Sequence, residues 1–412
     1  MQWLLIHQNF PGQFRDLAPQ LSQRGHQVVC IGGTGAAPMA GAAGLRVLNY
    51  QEDSDQPVRR LIDPDLERNL GRGRRVHALA MRLREEGFQP DAVIFHSGWG
   101  EGLYLRNVWP KAVLLAYPEL YANPELLGFG FDPDLGAVGE GLIQSMKRQN
   151  FMALAAIADS DGAVVPTLFQ RDTFPAHLRS RFHVIHEGID CDRACPYPRR
   201  HIQLTPELML KKGDPVITFV NRTLEPLRGF RTLMRALPQV MKQHPTARVV
   251  LVGETNGTSY APPSSHPQGY LGEMLALMGN QIDRSRLHVL GRIPYDQLLA
   301  LLQISAAHVY FTYPYALSWS LLEAMSCGAA VVGSANAPVT EVIHDGQNGR
   351  LVPFDQPDAL AAVLLQLLAD ETQQLRLGAA ARATVQQRFT IESSVTAYEQ
   401  LVISLRLAAT RA

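Results

Sequence analysis

A chain of 412 residues is long enough for two domains of ordinary size. Its 46% hydrophobic and 18% charged content describes a soluble globular protein, and a net charge of zero without any block of like charge argues against a nucleic-acid binder. The four cysteines read as reduced thiols of a cytoplasmic protein; Cys191 and Cys195 are neighbours but lack the second pair a zinc site needs. The start, MQWLLIHQNF, has no signal-peptide pattern, and no run approaches the roughly 20 apolar residues of a membrane span. Peripheral docking on the inner membrane face stays open.

Trp3–Ile6 is a short apolar strand, followed by a loop with Pro11 and Gly12 and by Phe14, Leu17, Ala18 and Leu21 at helical spacing. Gln27–Ile31 is the next strand, so the chain opens as a doubly wound α/β domain. Gly32-Gly33-Thr34-Gly35 is not a dinucleotide fingerprint: it follows the second strand, and Pro38 stands where the third glycine belongs. Strands at Leu45–Leu48, Ala92–His96, Val113–Tyr117, Ala163–Pro166 and His183–His186 continue the alternation. Between them lie helices at Leu66–Glu86 (interrupted near Gly71 and Gly73), Ile143–Ala158 and Leu168–Phe174. The glycine-rich SGWGEG follows His96, and a polar-aromatic insertion, PELYANPELLGFGFDPDLG, follows Tyr117.

Residues 190–214, rich in proline and charge and without periodicity, read as an exposed linker. The alternation restarts with strands at Val216–Val220, Ala247–Val252, Leu287–Leu290 and Ala307–Phe311, and with helices at Phe230–Lys242, Leu271–Gly279 and Tyr295–Gln303. The domains expected are therefore 1–192, a linker at 193–214, 215–388, and a last helix in 389–412.

The most informative stretch is Thr312 to Gly349: a strand end, a tight loop, a short apolar helix holding Glu323, and a second strand. A carboxylate in a buried helix needs a partner, because burying it unpaired costs several kcal/mol. The loop Pro314–Ser318 runs into the helix start, where free N–H groups favour an anion. An anion at the helix mouth and a hydroxyl-rich group on Glu323 together describe a sugar nucleotide. Ser320 and Glu323 also have the spacing of a capping box, and on this segment alone the two readings are even.

LLEAMSCGAAVV…EVIHDGQNGRLVP resembles the donor segment of family 4 retaining glycosyltransferases of the GT-B fold, which have two doubly wound Rossmann-like domains facing a cleft and a C-terminal helix crossing back to the first. The resemblance implies that Glu323 binds the nucleotide ribose. It places Tyr315 where the family has the first of its two glutamates, which contacts the donor sugar, with Leu317, Ser318 and Trp319 lining the same loop. Arg222 and Arg228 stand where the family has an arginine and a lysine that hold the diphosphate. Guanidinium suits that task through its bidentate fork, and with no metal a cation must stabilise the leaving charge. Gly291-Arg292-Ile293-Pro294 resembles the turn whose backbone reads the base, and Gly12 the glycine loop at the diphosphate. His96 resembles the histidine that touches the donor sugar, while Glu119 and Tyr121, in a polar-aromatic loop after a strand, are candidates for acceptor contact.

Five Asp-x-Asp pairs (53/55, 63/65, 132/134, 159/161 and 190/192) lie beside turn residues and read as turns and caps, so neither a metal nor a bound cofactor is expected. The expected activity is metal-independent transfer of a sugar from a nucleoside-diphosphate donor to a saccharide, lipid or small-molecule hydroxyl. The rivals are a nonenzymatic nucleotide-sugar binder, suggested by Tyr315, and a sugar-nucleotide epimerase or phosphorylase on the same architecture.

Overall fold

The computed structural model describes residues 1–36, 45–51, 64–259 and 262–409. The chain divides into two compact units, residues 1–123 with 139–188 and 391–412, and residues 124–138 with 189–390.

The first unit is built on seven strands: β1 (Gln2–Ile6), β2 (Gln27–Gly32), β3 (Arg46–Asn49), β4 (Ala92–His96), β5 (Val113–Tyr117), β6 (Gly162–Val165) and β7 (Phe182–Val184). They lie in the order β3-β2-β1-β4-β5-β6-β7, every neighbouring pair parallel. β1, β4, β5 and β6 are central and almost wholly buried, which is why they read as unbroken apolar runs. Side chains alternate between two apolar layers: Leu4, Ile6, Val93 and Phe95 enter one, while Trp3, Leu5, Ile94 and Leu115 enter the other. The last helix, Ile391–Ala409, closes the second layer with Val395, Tyr398 and Val402 and is pinned by Glu399, whose carboxylate takes Arg24 at 2.7 Å and His26 at 2.8 Å.

The second unit contains an antiparallel hairpin, β8 (His201–Thr205) and β9 (Leu208–Lys211), and a six-stranded parallel sheet. The sheet strands are β10 (Val216–Thr223), β11 (Arg248–Glu254), β12 (Leu287–Val289), β13 (Ala307–Tyr310), β14 (Val331–Ser334) and β15 (Arg350–Val352), in the order β12-β11-β10-β13-β14-β15. Here too an apolar layer covers each face, one led by Phe219, Phe230 and Leu233, the other by Val220, Leu321 and Met325.

Three sequence expectations change. The helix Pro64–Glu85 runs through Gly71 and Gly73 without interruption, because Gly73 marks close packing: a Cβ there would stand 2.8 Å from the Gly100 carbonyl oxygen. The presumed linker is part of the second unit. Its hairpin alternates exposed and half-buried residues too weakly to show as a pattern, and Arg200 and the Cys195 carbonyl are tied to Gln303 at 2.6 and 2.7 Å. Residues 124–138, placed by sequence within the first domain, also belong to the second unit.

A buried histidine gives the second unit an acid-sensitive point. His308 of β13 is fully buried, its Nδ1 2.8 Å from the Thr218 hydroxyl, and burial pushes its pKa down from 6.5 to about 3. Between those two values the unfolded chain binds a proton that the folded chain does not. Stability contributed by this site is therefore complete above pH 6.5 and falls as pH drops toward 3, by about 1.4 kcal/mol per pH unit. Urea midpoints measured from pH 7 to pH 4 should fall less steeply for His308→Asn than for the wild type; equal slopes would contradict this assignment.

Candidate active site

Ligands bind open parallel sheets beyond the carboxyl ends of the strands. Each unit carries one polar group of side chains in that position.

In the second unit, β10 ends with a bulge between Val220 and Thr223, and Arg222 lies within it. Arg222 is exposed and, among the described residues, has no ion pair. A turn, Pro226–Arg228, follows, then Gly229, which adopts φ 71° at the mouth of the helix Phe230–Gln243. Only glycine fits there, since a Cβ would stand 2.3 Å from that of Phe311. The turn aims Arg228 at the loop after β13. Its Nη1 donates to the Thr312 hydroxyl at 2.9 Å and reaches the Ala316 carbonyl at 3.5 Å, and its guanidinium lies 5.8 Å from the centre of the Tyr315 ring. That is cation–π distance. Among the described residues no carboxylate pairs with Arg228, and the loop TYPYALSW is neutral throughout.

The helix Trp319–Ser326 follows this loop. Its cap is Ser318, whose side chain accepts from the Ser320 N–H, so Ser320 and Glu323 do not form the capping box that their spacing allowed. Glu323 is buried and accepts a 2.8 Å hydrogen bond from the Tyr295 hydroxyl. Tyr295 opens the helix after the Gly291–Pro294 turn, which links the two candidate nucleoside contacts through one side chain. In that turn Arg292 is exposed and paired with Glu254 at 2.7 Å, and Ile293 packs against the apolar layer below. One expectation is corrected. The Ser318 N–H is not free for an anion, because it donates at 2.8 Å to the Tyr310 hydroxyl, a buried group that needs a partner. Leu317 is buried, with Trp319 packed on the same layer.

In the first unit, β1, β4 and β5 end in His7, His96 and the Pro118–Glu119 turn. The His96 Nδ1 accepts from the Gly98 N–H at 3.3 Å, leaving its Nε2 3.4 Å from the Glu119 carboxylate. The Gln13 amide donates to the other carboxylate oxygen. Burial acts to raise the Glu119 pKa, but the hydrogen bond and charge of His96, with the Gln13 hydrogen bond, outweigh it and hold the carboxyl below its usual range. Glu119 has φ 56°, the one positive value outside glycine among the described residues, and such strain collects at functional sites. The His7 ring is 5.0 Å from that of His96 and packs so closely on Gly12 that a Cβ there would approach it to 2.5 Å. Burial first, then His96, lowers the His7 pKa to about 3, so this neighbour of His96 is neutral. Trp99, 39% exposed, stacks at 6.2 Å on His96. Tyr121 does not join this group; its ring packs 5.6 Å from Phe174 on the core, and its N–H bonds Thr173.

The sequence model of the glycosyl transferase family 4 group matches residues 24–194, and that of glycosyl transferases group 1 matches residues 203–384. The chain is a family 4 glycosyltransferase. The transferase is 31% identical over 178 residues to the phosphatidyl-myo-inositol mannosyltransferase of Mycolicibacterium smegmatis, a match covering 42% of this chain and 40% of that protein. The chain thus spans about two fifths of the length of that relative. It is 25% identical over 379 residues to the D-inositol 3-phosphate glycosyltransferase of Corynebacterium jeikeium, covering 88% and 84%. Among solved structures, the sucrose-phosphate synthase of Thermosynechococcus elongatus aligns with a TM-score of 0.75 at 18% identity, over 99% of this chain and 100% of that one. The Anabaena protein HepE in complex with UDP aligns at 0.70 and 16%, over 98% and 99%. These neighbours establish the transferase as a GT-B fold.

Several described Asp-x-Asp residues of the transferase close turns, as Asp132 Oδ1 takes the Asp134 N–H and Asp190 takes two N–H groups, while others reach distant partners: Asp161 takes the Leu114 N–H and Arg106, Asp132 Oδ2 takes the Tyr313 hydroxyl, and Asp134 pairs with Arg235. Asp53, Asp55 and Asp63 lie outside the described residues. Sequence reading missed His7, Trp99, Thr312 and Tyr295. The first three each follow a strand or sit in the glycine-rich loop after one, a signal that could have been used; Tyr295 is placed only by the fold.

Proposed function

We propose that this glycosyltransferase takes its sugar from a nucleoside-diphosphate donor and passes it, with retention of configuration, to the hydroxyl of a saccharide, lipid or small molecule. Arg228 and Arg222 hold the departing diphosphate, so that no divalent metal is needed there. One observation carries this reading: a half-buried guanidinium, Arg228, rests on a neutral loop and, among the described residues, pairs with no carboxylate. A cation so placed is poised for an anion, and two unpaired arginines supply the charge that a leaving diphosphate develops. Glu323 and the Gly291–Pro294 turn, joined through Tyr295, hold the nucleoside. His96 and Glu119 face the reacting hydroxyls, and Trp99 offers an aromatic surface to a sugar ring. The HepE structures, solved with UDP and with UDP-glucose, favour the same donor class.

Thermal shifts measured in EDTA across UDP-, GDP- and ADP-sugars test the reading. One donor should raise Tm by several degrees, and transfer from that donor should persist in EDTA. No shift from any donor, or transfer abolished by EDTA and restored by magnesium, would overturn it.

A further inference from the structure

The loop that carries Thr312 and Tyr315 does not stand on its own sheet alone. We infer that residues 124–138 form a clamp that sets the diphosphate subsite, with Asp132 acting as a positioning residue through Tyr313; this rests on the assignment of Arg228 to the diphosphate.

The clamp belongs to the second unit although it is spelled in the chain between β5 and the helix Glu140–Asp159 of the first. It is a compact coil: a turn at Pro124–Leu127, then hydrogen bonds from the Phe131 and Asp132 N–H groups back to the Gly128 carbonyl at 3.0 and 2.7 Å. Asp132 is buried, and its two oxygens have separate tasks. Oδ1 takes the Asp134 N–H at 2.8 Å, which closes the coil, and Oδ2 takes the hydroxyl of Tyr313. The Tyr313 ring is held on all sides. Phe131 meets it edge-on at 5.8 Å, Phe354 lies at 5.2 Å, and Gly128 presses so close that a Cβ would stand 2.3 Å from it. Asp134 fastens the far end of the coil to Arg235 at 2.9 Å.

What makes this more than core packing is where the Tyr313 backbone sits. Its N–H donates at 2.8 Å to the carbonyl of Leu227, the residue before Arg228. Its preceding neighbour, Thr312, accepts from Arg228, and Tyr315, two residues on, lies against the same guanidinium. Tyr313 therefore touches both edges of the subsite, the turn that presents the cation and the loop that supports it. Burial and then Asp132 hold the Tyr313 proton firmly in place, so the tyrosine donates and the carboxylate stays an acceptor. Fixing the ring by three neighbours and one hydrogen bond removes freedom from the adjoining loop before any ligand binds, which is the condition for a cation to act at short range.

The test is made on the full chain with the donor identified by the thermal-shift panel. Asp132→Ala and Tyr313→Phe should each lower kcat/KM for the donor by about 10- to 100-fold, the scale for a sub-ångström misplacement at a distance, with KM for the acceptor unchanged. Asp132→Asn, whose single amide oxygen can accept from Tyr313 only by giving up the Asp134 N–H, should recover part of the loss. Asp132→Ala and Tyr313→Phe combined should be little worse than either alone. Donor kinetics unaltered in Tyr313→Phe, or Asp132→Asn as poor as Asp132→Ala, would overturn the inference, and these two milder variants decide the matter if Asp132→Ala does not fold. Arg228→Ala is assayed in parallel: if it is impaired while the clamp variants are not, the clamp fails alone, and if none is impaired, the diphosphate assignment fails with it.

Discussion

Arg228→Ala should fold as the wild type does and lose about 10²- to 10³-fold in kcat, or about 2.7–4 kcal/mol of transition-state stabilisation, the range for removing one preorganised charge-stabilising group. The loss belongs in kcat because the diphosphate carries less charge in the bound donor than when it departs, so the guanidinium interacts more strongly with the transition state. Stability should change by only about 1 kcal/mol, since the side chain makes one good hydrogen bond, to Thr312, and a long one to Ala316. Arg228→Lys keeps the charge but not the planar contact with Tyr315 and should fall between the two. Initial rates at saturating donor, together with a thermal melt, check all of this. A wild-type kcat in Arg228→Ala would remove the central support of the proposed function.

A different kinetic signature is expected at Glu323. Its carboxylate is buried, one oxygen already engaged by Tyr295, and the nucleoside it is proposed to bind does not change during the reaction. Glu323→Ala should therefore raise KM for the donor about 10- to 100-fold, the worth of a hydrogen bond to a charged group, with kcat nearly unchanged. It should also destabilise the second unit by about 1–3 kcal/mol, because the Tyr295 hydroxyl loses its acceptor. Glu323→Gln separates the two effects: its amide oxygen can still accept from Tyr295, so stability should return while KM stays raised. Isothermal titration with the free nucleoside diphosphate, beside urea unfolding, measures both. Unchanged nucleotide affinity in both variants would assign Glu323 to the core alone.

Much of this protein is legible along the chain because parallel strands buried on both faces are written as short apolar runs. Ala92–His96 and Val113–Tyr117 were bounded to the residue from that signal. Site residues placed just after strands, such as Arg228 and His96, follow from the rule that such sheets bind at their carboxyl edge. Glu323 was legible as a polar exception in an apolar helix, and the Ser318 cap removes the capping-box reading that its spacing with Ser320 allowed.

What escaped the sequence is whatever depends on residues far apart. That the Ser318 N–H is already taken follows from Tyr310 eight positions earlier, and that Glu119 is a strained, hydrogen-bonded carboxylate follows from His96 and Gln13. The proline-rich stretch 190–214 looked like linker because hairpin alternation over four or five residues is too short to stand out against its charges. Residues 124–138 looked like an insertion in the first domain because sequence order says nothing about which core a coil will join. Local order therefore determined the strands, the helices and the chemistry at their ends, since these rest on periodicity and on backbone groups that neighbours must satisfy. Only the tertiary structure decided which N–H groups remain available, which cation stands unbalanced, and that Asp132 reaches Tyr313, because those outcomes hang on contacts between segments up to 181 residues apart.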